Sequence, residues 1–181
     1  DGILSAITDQ FNKDLIEKLS PSIKIIANFA VGFGNIDVNA AAKKNIVVTN
    51  TPEVLDDSTA DISILLLLGA SRKVLEARRA AELQNWKWSA DFMLGKQMSN
   101  KRLGILGMGR IGRAVAKRAR GFNMEIHYHN RSQLSKDLEE GAIYHKTVKD
   151  LFNCSDFLSI NCPATKETNK IINKETIAFL P

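Results

Sequence analysis

Cysteine is scarce in this chain: two residues in 181, Cys154 and Cys162. Two thiols build no disulfide framework, so stability has to come from a packed core. Both sit near a short apolar run at 156–161, where a thiol serves as a small buried apolar group. Histidine is scarce too. His127 and His129 alternate along one predicted strand and so share a face, but a metal site needs more ligands converging there. His145 is the remaining histidine, and no metal is expected. No Ser/His/Asp or Cys/His nucleophilic arrangement is legible. The longest apolar run, 62–70, is too short to cross a bilayer, so no membrane partner is expected. Aromatics make up 7% and are not interleaved with a basic stripe, which argues against nucleic acid. No stretch reads as a signal peptide, and the expected location is cytoplasmic.

What is present is a real core and a local excess of positive charge. The chain is 44% hydrophobic with a net charge of +5. Eight Lys or Arg residues fall between 101 and 131 against one acid, Glu125, so the rest of the chain is slightly acidic. A basic zone suits an anionic cofactor, although Arg113, Lys117 and Arg120 equally suit a solvated helix face.

That zone holds the stretch around which the chain is organised. An apolar run at 103–106 reads as a buried strand. Gly107, Gly109 and Gly112 follow with G-x-G-x-x-G spacing, an amphipathic helix starts at once, and 124–129 reads as a second strand. Strand, glycine turn, helix and strand form the context in which this spacing means dinucleotide binding. Gly107 allows the tight turn, Gly109 lets the backbone approach a pyrophosphate, and Gly112 lets the helix pack close to the strand. The helix N-terminus then offers N–H groups to the phosphates. An NAD site usually places a carboxylate at the end of the second strand, for the ribose hydroxyls. Here that position reads Asn130-Arg131-Ser132. An arginine can bind a 2′-phosphate in bidentate fashion, and Asn130 and Ser132 can add hydrogen bonds, so the expected cofactor is NADP with NAD possible. A solvated loop arginine is the plainer alternative.

Strands are predicted at 2–7, 23–30 and 46–49, with helices at 12–19 and 38–44 between them. This βαβ alternation points to a second parallel sheet. Gly32 and Gly34 follow one of its strands. From the residues alone this is first a connecting turn, with a nest for a carboxylate as the alternative. Asp56, Asp57 and Ser58 are N-cap candidates for a long helix at about 59–83, apolar nearly all round in its first half, which predicts burial between two bodies. Trp86, Trp88 and Phe92 follow as local core or as an arm that grips a partner subunit. The crossing between the units is placed at 95–100. Further helices are expected at 134–140, 148–153 and from 173, and strands at 142–145 and 156–161. Both ends read as cut.

In order and combination these pieces resemble the D-isomer-specific 2-hydroxyacid dehydrogenases. The resemblance covers essentially the whole chain. It rests on Val31-Gly32-Phe33-Gly34-Asn35-Ile36-Asp37, Thr49-Asn50-Thr51-Pro52, the apolar helix after Asp57, Gly107-Met108-Gly109-Arg110-Ile111-Gly112, and Asn161-Cys162-Pro163-Ala164-Thr165 with Thr168. Within the family, Asn130-Arg131-Ser132 looks most like the NADPH-preferring glyoxylate/hydroxypyruvate reductases. The resemblance implies an α/β fold, with an incomplete flavodoxin-like substrate domain at 1–97 that includes the long helix, and an incomplete Rossmann domain at 98–181, both with parallel sheets. It implies that Val31, Gly32 and Phe33 hold the substrate carboxylate and that Gly109, Arg110 and Ile111 lie along the pyrophosphate. Cys162, Pro163 and Thr168 would line the adenosine side, and Thr51 the nicotinamide end. A homodimer through the long helix and the 86–92 arm is implied as well. The family's catalytic Arg, Glu and His would fall beyond Pro181, so no catalytic residue is assigned. The implied reaction is reduction of a small 2-oxo acid, and the alternative is a non-catalytic NAD(P)-sensing module of corepressor type. A formate or phosphite dehydrogenase relative is a weaker third possibility.

Overall fold

A computed structural model describes residues 1–84 and 86–181. By its contacts the chain forms two compact units, Asp1–Leu55 and Asp56–Pro181.

The first unit alternates β1 (Gly2–Ala6), α1 (Lys13–Lys18), β2 (Ile25–Phe29), α2 (Val38–Lys43) and β3 (Val47–Thr49). The three strands are parallel in the order β1-β2-β3. Asn12 and Asp37 cap the two helices, accepting from the amides of Leu15 and Ala40. Ile16, Ile26, Ile36, Ala41 and Ile46 close the core between helices and sheet. Leu4, Phe29 and Val47 remain exposed.

The second unit contains α3 (Asp56–Ser71), α4 (Val74–Leu83), β4 (Arg102–Leu106), α5 (Arg110–Arg120), β5 (Glu125–His129), α6 (Lys136–Glu139), β6 (Ile143–Tyr144), α7 (Val148–Asn153), β7 (Phe157–Ile160) and α8 (Lys174–Ile177). Its sheet is parallel in the order β6-β5-β4-β7. The chain moves outward from β4 through β5 to β6, then returns to the other side of β4. The strand order therefore reverses between β4 and β7, and ligands of such sheets bind at the carboxyl ends there.

The expected helix at 59–83 is two helices. Lys73 adopts a left-handed conformation (φ 53°), and the Lys96 amide donates to the Ser71 carbonyl at 2.8 Å. That carbonyl is thus satisfied from a distant loop instead of by the next helical turn. The apolar helix also counts with the second unit, whereas the division expected at 97 put it with the first. Ala60 is fully buried with Val115, Ala116 and Ala119 of α5, and Ile64, Leu67 and Leu68 pack against the same cluster. Arg118 of α5 reaches Asp61 at 2.6 Å and Asp57 at 3.1 Å.

Candidate functional site

The glycine turn leaves β4 at its carboxyl end. Gly107 has φ +93°, a conformation that favours glycine, and a Cβ there would stand 2.5 Å from the Cys162 amide nitrogen. So the end of β7 crosses hard against the turn, held by the Asn161 amide on the Leu106 carbonyl (2.8 Å). A Cβ on Gly112 would meet the Gly107 carbonyl oxygen at 2.4 Å, which is the close helix–strand approach its spacing implies. A Cβ on Gly109 would meet nothing within 4 Å: the turn has open space at that glycine. Gly109 is also the N-cap of α5, and no side chain caps that end. An open glycine beside an uncapped eleven-residue helix fits a pyrophosphate.

Asn130 bonds to the backbone of the turn. Its Oδ1 accepts from the Met108 amide at 2.6 Å, and its Nδ2 reaches the Met108 carbonyl at 3.4 Å. The side chain is turned onto the glycine turn. With the Gly107 amide on the His129 carbonyl (3.0 Å), it ties the turn to the end of β5. Arg131 and Ser132 are exposed just beyond. Glu167 is held below the usual carboxylate range, first by the Thr165 hydroxyl and its own backbone amide and more weakly by the Arg131 charge. Arg131 is therefore within electrostatic reach of the 163–168 loop. Thr168 closes that loop by donating to the Pro163 carbonyl at 2.6 Å.

The loop at 31–37 lies in the first unit. Asn50 donates to the Val31 carbonyl (2.8 Å) and Asn28 to the Gly32 carbonyl (2.9 Å). These peptides are trans, so the amides of Gly32 and Phe33 point opposite to those carbonyls. The amides of Val31, Gly32 and Phe33 have no partner among the described residues. Asn28 is itself buried and accepts from Ser5, while Asn35 donates to the carbonyls of Ala6 and Asp9. Thr51 follows β3, its amide on the Ala30 carbonyl at 2.9 Å.

Residues 64–181 match the family model described as D-isomer specific 2-hydroxyacid dehydrogenase, NAD binding domain. The chain belongs to that family. It is 39% identical over 185 residues to a glyoxylate reductase of Pyrococcus horikoshii, across 99% of this chain and 55% of that protein. The crystal structure of a glyoxylate reductase from Paecilomyes thermophila superposes with a TM-score of 0.91 at 38% identity, covering 99% and 55% of the two chains. A D-lactate dehydrogenase of Aquifex aeolicus, complexed with NAD and lactic acid, gives 0.89 at 28%, covering 99% and 53%. The chain spans about half the length of these relatives.

In this family member the sequence reading missed the asparagines. Asn28 interrupts an otherwise apolar strand, and a polar residue there signals a buried network. It also missed a convergence in the second unit. His127 Nδ1 lies 2.9 Å from His145 Nε2, and Cys154 Sγ lies 3.5 Å from that same nitrogen. Among the described residues, His127, His145 and Cys154 form a group whose ligand atoms all lie within 4.8 Å of one another. His129, which shares a strand face with His127, places its Nδ1 on the His145 carbonyl at 2.8 Å.

Proposed function

We propose that the full protein reduces a small 2-oxo acid of glyoxylate or hydroxypyruvate type to the D-2-hydroxy acid, with NADPH as hydride donor. The observation that carries this reading is the open glycine turn at the strand-order reversal, with Arg131 where an NAD site has a carboxylate. Gly109, Arg110 and Ile111 would run along the pyrophosphate, while Gly107 and Gly112 shape the turn. Arg131 and Ser132 would take the 2′-phosphate, with Asn130 positioning the turn behind them. Cys162, Pro163 and Thr168 would bound the adenosine side, and Thr51 would serve the nicotinamide end.

The nicotinamide supplies the hydride. The chain's own part is to fix the substrate: three unpartnered amides at Val31, Gly32 and Phe33 suit a carboxylate, and Asn28 and Asn50 hold two of them in place. Fixed donors of this kind need no reorganisation when charge develops. The polarising cation and proton donor that the reaction needs are not assigned to residues 1–181. We also infer a homodimer through the outer faces of α3 and α4, and a cytoplasmic location, in keeping with two free thiols.

The test is NADPH oxidation by the full-length protein with glyoxylate and hydroxypyruvate, beside Arg131→Asp. The substitution removes a charge-assisted pair and adds repulsion, about 2–4 kcal/mol against NADPH, or roughly 30- to 1,000-fold in affinity. NADH binding should change by only a few fold. Equal losses for both cofactors would remove the 2′-phosphate role. No turnover with any small 2-oxo acid would favour the sensing module.

A further inference from the structure

The second unit holds a group of side chains that the dinucleotide site does not use. His127 projects from the middle of β5, His145 follows β6, and Cys154 is the C-cap of α7. They are far apart in sequence, and the parallel pairing of β6 on β5 brings them together. We propose that His127 Nδ1, His145 Nε2 and Cys154 Sγ bind a zinc-class divalent ion, a site independent of the dinucleotide reading.

Three observations carry it. The first is spacing. The pairs at 2.9 Å and 3.5 Å, with all three atoms inside 4.8 Å, bracket the roughly 3.3–3.6 Å separations around a tetrahedral ion with bonds of about 2.0–2.3 Å. The second is ligand orientation. Glu125 Oε1 lies 2.5 Å from His127 Nε2, so a carboxylate takes the outer N–H of the ring and leaves Nδ1 as the lone-pair donor facing the group. A carboxylate behind a ligating histidine fixes tautomer and ring angle and raises ligand basicity. The third is ligand type. Two imidazoles and a thiol select borderline ions such as zinc or cobalt over magnesium or calcium, which want oxygen. His127 is buried, while His145 and Cys154 are half-buried, so solvent reaches one side and leaves a fourth position for water.

The proton balance is simple. In the metal-free group His145 Nε2–H donates to His127 Nδ1. On binding, His145 moves its proton to Nδ1, and the Cys154 thiol loses its proton to solvent as Sγ joins the ion. One proton leaves per ion bound. The ion would then tie β5, the end of β6 and the C-terminus of α7 together.

Cobalt(II), a spectroscopic stand-in for zinc, is titrated into the metal-free full-length protein with any affinity tag removed. The expected result is one equivalent bound, with tetrahedral-intensity visible bands and a thiolate-to-cobalt charge-transfer band in the near ultraviolet, both displaced by zinc. Zinc should also raise the melting temperature. Cys154→Ser should lose the charge-transfer band, whereas Cys162→Ser should keep it. Glu125→Gln, at an exposed side chain, should weaken binding roughly 10- to 100-fold. No charge-transfer band in the wild type, an undiminished band in folded Cys154→Ser, or unchanged affinity in Glu125→Gln would each overturn the assignment.

Discussion

Asp156 shows what one side chain contributes at the end of the sheet away from the glycine turn. Its two oxygens accept the Arg102 guanidinium in bidentate fashion at 3.1 and 3.0 Å, and one of them also accepts the Arg102 amide at 2.9 Å. These bonds hold its carboxyl down at about 2. A depressed folded-state value means stability that is complete above the unfolded value near 3.8 and lost as pH falls through about 2. Because the pair is partly solvated, we expect about 1–2 kcal/mol rather than the full shift. Asp156→Asn should therefore lower stability by that amount at pH 7. In denaturant melts its deficit should shrink steadily below pH 4 and vanish only below about pH 2. A deficit that stays constant with pH would mean that lost packing, and not charge, is responsible. Tyr128 shows the opposite displacement: burial, then the hydrogen bond to Glu139, pushes its phenol up to about 12, so it stays a neutral donor throughout the working range.

At the scale of elements, the glycine turn separates two kinds of glycine. Gly109→Ala places its methyl in open space, so the fold should lose less than about 1 kcal/mol, the ordinary difference between Gly and Ala at an N-cap. Gly112→Ala gains up to about 1 kcal/mol in helix propensity but drives a methyl into the Gly107 carbonyl, at a cost of about 1–3 kcal/mol. We expect Gly112→Ala to melt lower and to bind dinucleotide poorly. Gly109→Ala should melt almost like wild type and still lose at least about tenfold in binding, because its methyl occupies the space a pyrophosphate needs. Equal calorimetric melts paired with equal affinities for the two variants would contradict this division. The sequence carried this element well because its signals are local: glycine spacing, an apolar strand before it and an amphipathic helix after it. The break at Arg72 and Lys73 was not legible, because the amide that satisfies Ser71 comes from Lys96, 25 residues away. The part played by Asn130 was hidden for a related reason. An asparagine after a strand suits a ligand phosphate as well as a neighbouring backbone, and the contact to Met108 appears only once the turn is folded.

At the scale of the whole molecule, each unit closes its own core, and the α/β alternation in each was readable from apolar runs and turns. What a linear reading could not supply is convergence. His127, His145 and Cys154 meet because of strand order, and the Asn28 network because a polar side chain of β2 meets the loop that follows that strand. The apolar helix was readable as a helix with two buried faces, and half of that is accounted for within the second unit. One face of α3 covers α5 through Ala60, Ile64, Leu67 and Leu68. On the other, Ile62, Leu65 and Leu66 are exposed, Leu66 by 66%, and Leu75 and Leu83 of α4 and Trp88 beyond it are exposed too. A row of exposed apolar side chains is the kind of surface that a two-fold interface buries. The full-length protein should therefore run as a dimer in size-exclusion chromatography with light scattering. Leu66→Glu adds a charge at the centre of that surface, where its own fold packs little against it. It should shift the protein to monomer at micromolar concentration while leaving its circular dichroism unchanged. A wild-type protein that runs as a monomer, or a Leu66→Glu dimer as tight as wild type, would place the interface elsewhere and leave the outer face of α3 without its proposed partner.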